Sequence, residues 1–224
     1  MKEVKKLIVG MSGASGIVYG IRMVELLHAA GVETHLVVSK AAELTLAYET
    51  DRRMGEIAAL AHRTYPVRDV GAAIASGSFR MDGMVIAPCS IKTMSEIATG
   101  VTTTLLTRAA DVTLKERRRL VLMVRETPFH TGHLRTMTAL SEMGAIIAPP
   151  IPAFYGRPKT LEDLIDHSVG RVLDLVGVDT TDYQRWGEDI APGPHPDRAR
   201  KVGGDRQAPA APDDGEEPGS ETEA

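Results

Sequence analysis

Cysteine is almost missing from this chain: Cys89 is the single one among 224 residues. No disulfide can close within the chain, and the composition fits a reducing, cytoplasmic setting. Long apolar runs are missing too. None approaches the roughly 20 residues that a membrane-spanning helix requires. No secretory pattern is visible, because a strand-like run begins almost at once. A basic excess is absent as well. The formal net charge is −4, and residues 191–224 alone hold eight acidic and four basic side chains, leaving 22 of each sign in residues 1–190. A neutral body does not offer the general electrostatic surface that nucleic acids need. Neither membrane nor nucleic acid is therefore expected as a partner. The usual phosphate signatures are missing last of all. "GMSGASG" places glycines at 10, 13 and 16, which matches neither G-x-G-x-x-G nor a P-loop ending in G-K-[ST].

What remains is a chain able to build a core. It is 43% hydrophobic, enough for one domain over residues 1–190. Residues 191–224 are rich in Pro, Gly, Ala and charge, and read as a disordered extension. Five apolar runs stand out: "KLIVGM" from Lys6, "THLVVS" from Thr34, "GMVIAP" from Gly83, "RLVLMV" from Arg119 and "AIIAPP" from Ala145. They are continuous, as strands buried on both faces of a parallel sheet are. Helical patterns separate them. One ends at Gly31, one spans Pro128 (at N1) to Gly144, and one opens with the capping pair Thr160 and Asp163 and ends near Gly177. Repeated β-α alternation predicts a doubly wound α/β fold with a parallel sheet.

Ligands of such folds sit beyond the carboxyl ends of the strands. The turns there read "MSGASG", "SKAA", "PCSIKT", "RETPFH" and "PPIPAFYGRP". A glycine turn entering a helix offers backbone N–H groups and a positive dipole end. Ser12, Ser15, Ser39, Ser90 and Thr93 add hydroxyls, which also suit ordinary helix caps. Several such turns together point to a bound phosphomonoester such as that of FMN. Cys89 reads as a core residue rather than a nucleophile. His130 and His133 have the spacing of a metal pair, but no third ligand is evident. Arg108 and Lys115 are seven apart, on one face of a helix. Arg125 and Glu126 follow a strand directly. Arg171 reads either as a snorkelling flank residue or as a cation aimed at a second phosphate.

The motifs "GMSGASG", "SKAA", "ETD", "SGSF", "APCSIKT", "TRAADVTLKERR", "RETPFHTGHLR", "PPIPAFYGRP" and "RVLDLVG" together resemble, in order, the flavin prenyltransferases of the UbiX type, formerly described as aromatic acid decarboxylases. The resemblance covers about residues 5–186. It implies a Rossmann- or flavodoxin-like flavoprotein that joins the dimethylallyl group of dimethylallyl phosphate to N5 and C6 of reduced FMN, without a metal. It also implies that the prenylated FMN serves a UbiD-type decarboxylase. A homo-oligomer, typically a dodecamer, with the flavin site at subunit contacts is implied as well. By the same resemblance Gly13, Ala14, Ser15, Ser39, Ser90, Ile91, Lys92, Thr93 and Arg125 hold FMN. Tyr155 and Arg171 bind the dimethylallyl phosphate. Glu49, Arg108, Lys115 and Glu126 surround its phosphate, with Glu126 as the candidate acid, and Trp186 walls the prenyl pocket. One departure stands out: relatives carry Asp or Asn where this chain has Thr102, Thr103 and Thr104 before "LLTRAAD". Two alternative readings stand beside it. A non-catalytic FMN carrier, or accessory subunit of an aromatic acid decarboxylase, would not need the cationic cluster. A flavin-dependent cysteine decarboxylase would use a histidine after the early helix, and neither His28 nor His35 sits in such a motif.

Overall fold

The five apolar runs become strands of one parallel sheet: β1 (Lys6–Met11), β2 (Glu33–Val38), β4 (Gly83–Cys89), β5 (Arg119–Val124) and the short β6 (Ile146–Ile147). A sixth strand, β3 (Arg63–Tyr65), was not expected; it is a three-residue edge whose first two residues are exposed. The strand order is β3-β2-β1-β4-β5-β6, all pairs parallel, with Ile8 of β1 between His35 and Met84. This is the Rossmann order of the doubly wound folds. The computed structural model describes residues 4–180, 183–187 and 189–190. The tail expected over 191–224 lies outside the described residues.

Among the described residues seven helices flank the sheet: α1 (Ile17–Ala29), α2 (Lys40–Glu49), α3 (Met54–Leu60), α4 (Ile91–Thr99), α5 (Leu105–Lys115), α6 (Thr131–Glu142) and α7 (Leu161–Leu175), with a 3-10 turn at Ala73–Ala75. On one face Leu27, Leu36, Met123 and Leu173 interlock beneath α1 and α7. On the other, Met84, Met94, Leu106 and Leu122 interlock beneath α4 and α5. All of these side chains are buried, and each contributes about 1.5–3 kcal/mol by leaving water. Every residue of β4 is buried, which explains why its sequence is continuous rather than alternating.

The expected boundaries hold at α1, where Gly31 has φ 68° after the last turn, and at α7, where Thr160 and Asp163 form the capping box. The start of α6 needs correction. It begins at Thr131, not Pro128, because the His130 ring takes the cap: its Nδ1 accepts from the backbone N–H groups of Gly132 (3.0 Å) and His133 (3.3 Å). Among the described residues no helix is long and apolar enough to cross a membrane.

Candidate functional site

The strand order reverses between β1 and β4, so a crevice opens beyond their carboxyl ends. Ser12 ties the two ends together. It is 1% exposed; its N–H and its hydroxyl both donate to the Pro88 carbonyl (3.1 and 3.0 Å). Its Oγ in turn accepts from Ser90 N–H at 2.7 Å. Gly13 brings the turn against α2: a Cβ there would lie 2.3 Å from that of Ala41. Gly16 enters α1 at φ 93°, a conformation that favours glycine.

Four of the expected groups face this crevice with part of their bonding already engaged. The Ser39 hydroxyl caps α2, accepting from Ala42 N–H at 3.1 Å. Ser90 caps α4, accepting from Thr93 N–H at 3.3 Å and donating to the Thr93 hydroxyl at 3.1 Å. Glu49 places its carboxylate on the start of α1, where it accepts from Gly16 N–H (2.9 Å) and Ile17 N–H (2.9 Å). The positive end of α1 is therefore already met by a negative side chain. What stays open for an anion is narrower than the sequence implies. It comprises the N–H groups of Gly13 and Ser15, which have no partner among the described residues, the exposed Ser15 side chain, and the first two N–H groups of α2 (Lys40, Ala41) and of α4 (Ile91, Lys92), which the serine caps do not reach. Ala14 turns inward, its N–H on the Ser12 carbonyl at 2.9 Å. Ile91 opens α4, and the exposed Lys92 pairs with Glu96 at 3.0 Å.

Arg125 follows β5, its N–H on the Cys89 carbonyl at 3.0 Å. Burial raises the Tyr19 phenol above its ordinary pKa, and the Arg125 guanidinium, close to α1, opposes that rise. Glu126 is exposed and accepts from Thr127 N–H at 2.9 Å. Cys89 is fully buried and burial pushes its thiol far up, which suits a core residue and not a thiolate.

A second group gathers the substrate residues expected on the last helix and the loop before it. Tyr155 Oη lies 2.6 Å from His167 Nε2, and the Tyr155 ring stands edge-on to Trp186 with centroids 5.5 Å apart. Arg171 follows His167 by one helical turn and pairs with Asp174 at 3.1 Å. Asp174 also takes Arg185 at 2.5 and 2.8 Å and the Tyr183 hydroxyl. Burial alone would raise the Asp174 carboxyl, but Arg185, Tyr183 and Arg171 together hold it below the usual range. Beside this group lies a cavity of about 340 Å³, lined by Gly156, Arg157, Lys159, Asp163, His167 and Tyr183. Sequence reading missed His167, Tyr183, Asp174 and Arg185. The i, i+4 spacing of His167 and Arg171 on one helix was the available signal.

Arg108 and Lys115 do not join either group. As expected they share one face of α5, but that face meets the 3-10 turn and the segment after it. Arg108 donates to the Ala75 carbonyl (3.3 Å) and to Asp111 (2.7 Å). Lys115 pairs with Glu116 at 2.5 Å beside Gly77. At the threonines where the resemblance led to an expectation of Asp or Asn, Thr104 caps α5 by accepting from Thr107 N–H at 3.3 Å, and Thr103 donates to Glu96 at 3.2 Å. The threonines therefore provide a complete helix start. Among the described residues no group of three or more His, Cys, Asp or Glu side chains could hold a metal ion. The His130 and His133 rings lie with centroids 3.5 Å apart, tilted by 31°.

Sheet order, glycine turn and serine-capped helix starts define a doubly wound protein built to hold a phosphorylated ligand at a switch-point crevice. Comparison with known proteins narrows the class. A family profile described as Flavoprotein matches residues 1–173. The flavin prenyltransferase UbiX of Thauera aromatica is 58% identical over 181 residues, 81% of this chain and 93% of that one. A crystal structure of a UbiX protein in complex with FMN and dimethylallyl pyrophosphate superposes with a TM-score of 0.81 at 49% identity, covering 82% of this chain and 98% of that one. A dodecameric FMN-dependent UbiX-like decarboxylase from Escherichia coli O157:H7 gives 0.79 at 48% identity, over 81% and 98% of the two chains. The chain belongs to the flavin prenyltransferase family.

Proposed function

We propose that this protein transfers the dimethylallyl group of dimethylallyl phosphate to N5 and C6 of reduced FMN, releasing phosphate, and that the prenylated FMN passes to a UbiD-type decarboxylase. The observation that carries the reading is the likeness, at 49% identity, to a UbiX structure that holds both FMN and dimethylallyl pyrophosphate. The residues present fit the flavin: free N–H groups at Gly13 and Ser15, two serine-capped helix starts, and Arg125 at the next strand end form a cradle for its phosphate. When bound, FMN supplies the nucleophilic ring to which the prenyl carbon is joined.

The chain's own part is electrostatic. Cleaving an allylic C–O bond leaves negative charge on the phosphate, and Arg171 with the Tyr155 hydroxyl meets it. Glu126 supplies the proton that makes the monophosphate a better leaving group. The exposed Trp186 face next to Tyr155 steadies the positive charge that develops on the allylic carbon. Arg108 and Lys115 complete the phosphate site from a neighbouring copy. Two observations support a homo-oligomer, a dodecamer as in the Escherichia coli relative. Arg108 and Lys115 stand apart from Tyr155 in one protomer. Tyr48 is 89% exposed, and Ile151, Phe154 and Leu161 are also open. Such apolar exposure marks interaction surfaces. A cytoplasmic location agrees with the single, buried cysteine.

Anaerobic incubation of the purified protein with reduced FMN and dimethylallyl phosphate, followed by mass spectrometry of the flavin, tests the reaction. A gain of one prenyl unit is expected. Flavin that binds tightly yet leaves unchanged would assign the chain a carrier role instead.

A further inference from the structure

His167 is the hub of the Tyr155 group. Its Nε2 lies 2.6 Å from Tyr155 Oη, and its ring stands edge-on to Tyr155 and to Tyr183, with centroids 5.2 and 5.3 Å away. Arg171 is the next residue along the same face of α7. Burial, and then the charge of Arg171, lower the His167 pKa and favour the neutral ring. A neutral imidazole has one N–H and one bare nitrogen, so its contact with Tyr155 can run either way. The direction matters because a phenol has one proton. Donated to His167, that proton is withheld from an anion, which then meets only oxygen lone pairs. With His167 donating from Nε2 instead, the Tyr155 proton is free for a phosphate oxygen, and the two hydrogen bonds polarise each other along one chain.

We infer that His167 is the positioning residue for Tyr155: it fixes the phenol beside Arg171 and, by carrying its hydrogen on Nε2 when a phosphate monoester is bound, makes the Tyr155 hydroxyl a donor to it. The change moves one hydrogen from Nδ1 to Nε2 through solvent and needs no net proton. The inference rests on the reading of Tyr155 and Arg171 as phosphate ligands.

Two measurements test it. In the wild-type protein, ¹⁵N NMR follows the His167 ring, assigned against His167→Gln, as dimethylallyl phosphate is added without flavin. Nε2 is expected to move from the bare toward the protonated position. In turnover assays, His167→Leu should raise KM for dimethylallyl phosphate about tenfold and leave the Kd for FMN unchanged. His167→Gln, whose amide can still donate to the phenol, should recover most of that loss. In a Tyr155→Phe background the Leu substitution should add nothing. An Nε2 signal that stays put while ligand binds, a wild-type KM in His167→Leu, or equal losses of FMN affinity and Tm would overturn the role. Tyr155→Phe with an unchanged KM would sink the phosphate reading of the site itself.

Discussion

Ser12 and Ser15 stand in the same glycine turn and have different tasks. Ser12 is buried, with its hydroxyl engaged by Pro88 and Ser90; Ser15 is exposed, beside an unpaired N–H. Ser12→Ala leaves the Ser90 N–H and the Pro88 carbonyl without that partner, which costs about 1–3 kcal/mol. Its urea midpoint should fall, and FMN affinity with it, since the two loops of the crevice lose their tie. Ser15→Ala should weaken FMN binding while leaving the midpoint where it was. Denaturation curves and flavin titrations of both variants check this; a Ser12→Ala protein as stable as wild type would remove the tie. At this scale the sequence showed which turns carry hydroxyls. It could not show that Ser12 ties two loops rather than capping a helix, because its partner Ser90 N–H comes from 78 residues away. The same holds for Glu49, whose place on the start of α1 spans 33 residues of chain.

Among the elements, five strands were legible because each is a continuous apolar run, and β3 was not. Its residues, Arg63–Tyr65, carry no such run. What fixes it is tertiary: His35 of β2 is buried, with Nδ1 2.8 Å from the Tyr65 hydroxyl and Nε2 3.0 Å from Glu33. Burial lowers the His35 pKa from 6.5, outweighing the pull of Glu33, while the ring's hydrogen bond in turn lowers that of Glu33 from 4.5. A neutral ring that donates to the Glu33 carboxylate and accepts from Tyr65 meets both. The unfolded chain therefore takes up a proton near pH 6.5 that the folded chain resists. Stability from this group is whole above that pH and is lost as pH falls from it toward the lower folded value; Glu33 adds a further loss below pH 4.5. Urea midpoints measured from about pH 7.5 to about pH 5 should decline, and His35→Gln, which keeps both hydrogen bonds without titrating, should reduce that decline to the share that His167, also held below its ordinary pKa, contributes. A wild-type midpoint independent of pH across it would show that His35 charges freely in the folded state.

For the whole molecule, the separation of Arg108 and Lys115 from the Tyr155 group is the feature that spacing alone could not reveal. α5 starts against Val67, beyond the carboxyl end of β3, and ends shortly before Arg119 opens β5. Seven residues of helix advance about 10 Å, so Lys115 lies toward the amino edge of the sheet, while Ser39, Ser90 and Glu126 lie at the carboxyl edge. A single protomer cannot close all these groups around one phosphate without dismantling α5, whose Leu105, Leu106, Ala109 and Val112 are buried. On the proposed reading a second copy supplies the missing cations, and the open apolar side chains at Tyr48, Ile151 and Phe154 would offer the surfaces for it. Complementation distinguishes the two arrangements. Arg108→Ala/Lys115→Ala and Tyr155→Phe/Arg171→Ala are each expected to be inactive alone. Co-expressed, they should assemble mixed oligomers in which some sites draw intact Arg108 and Lys115 from one chain and intact Tyr155 and Arg171 from another, so prenyl transfer returns at those sites. Mixed oligomers verified by mass that stay inactive would mean that all four residues must come from the same chain.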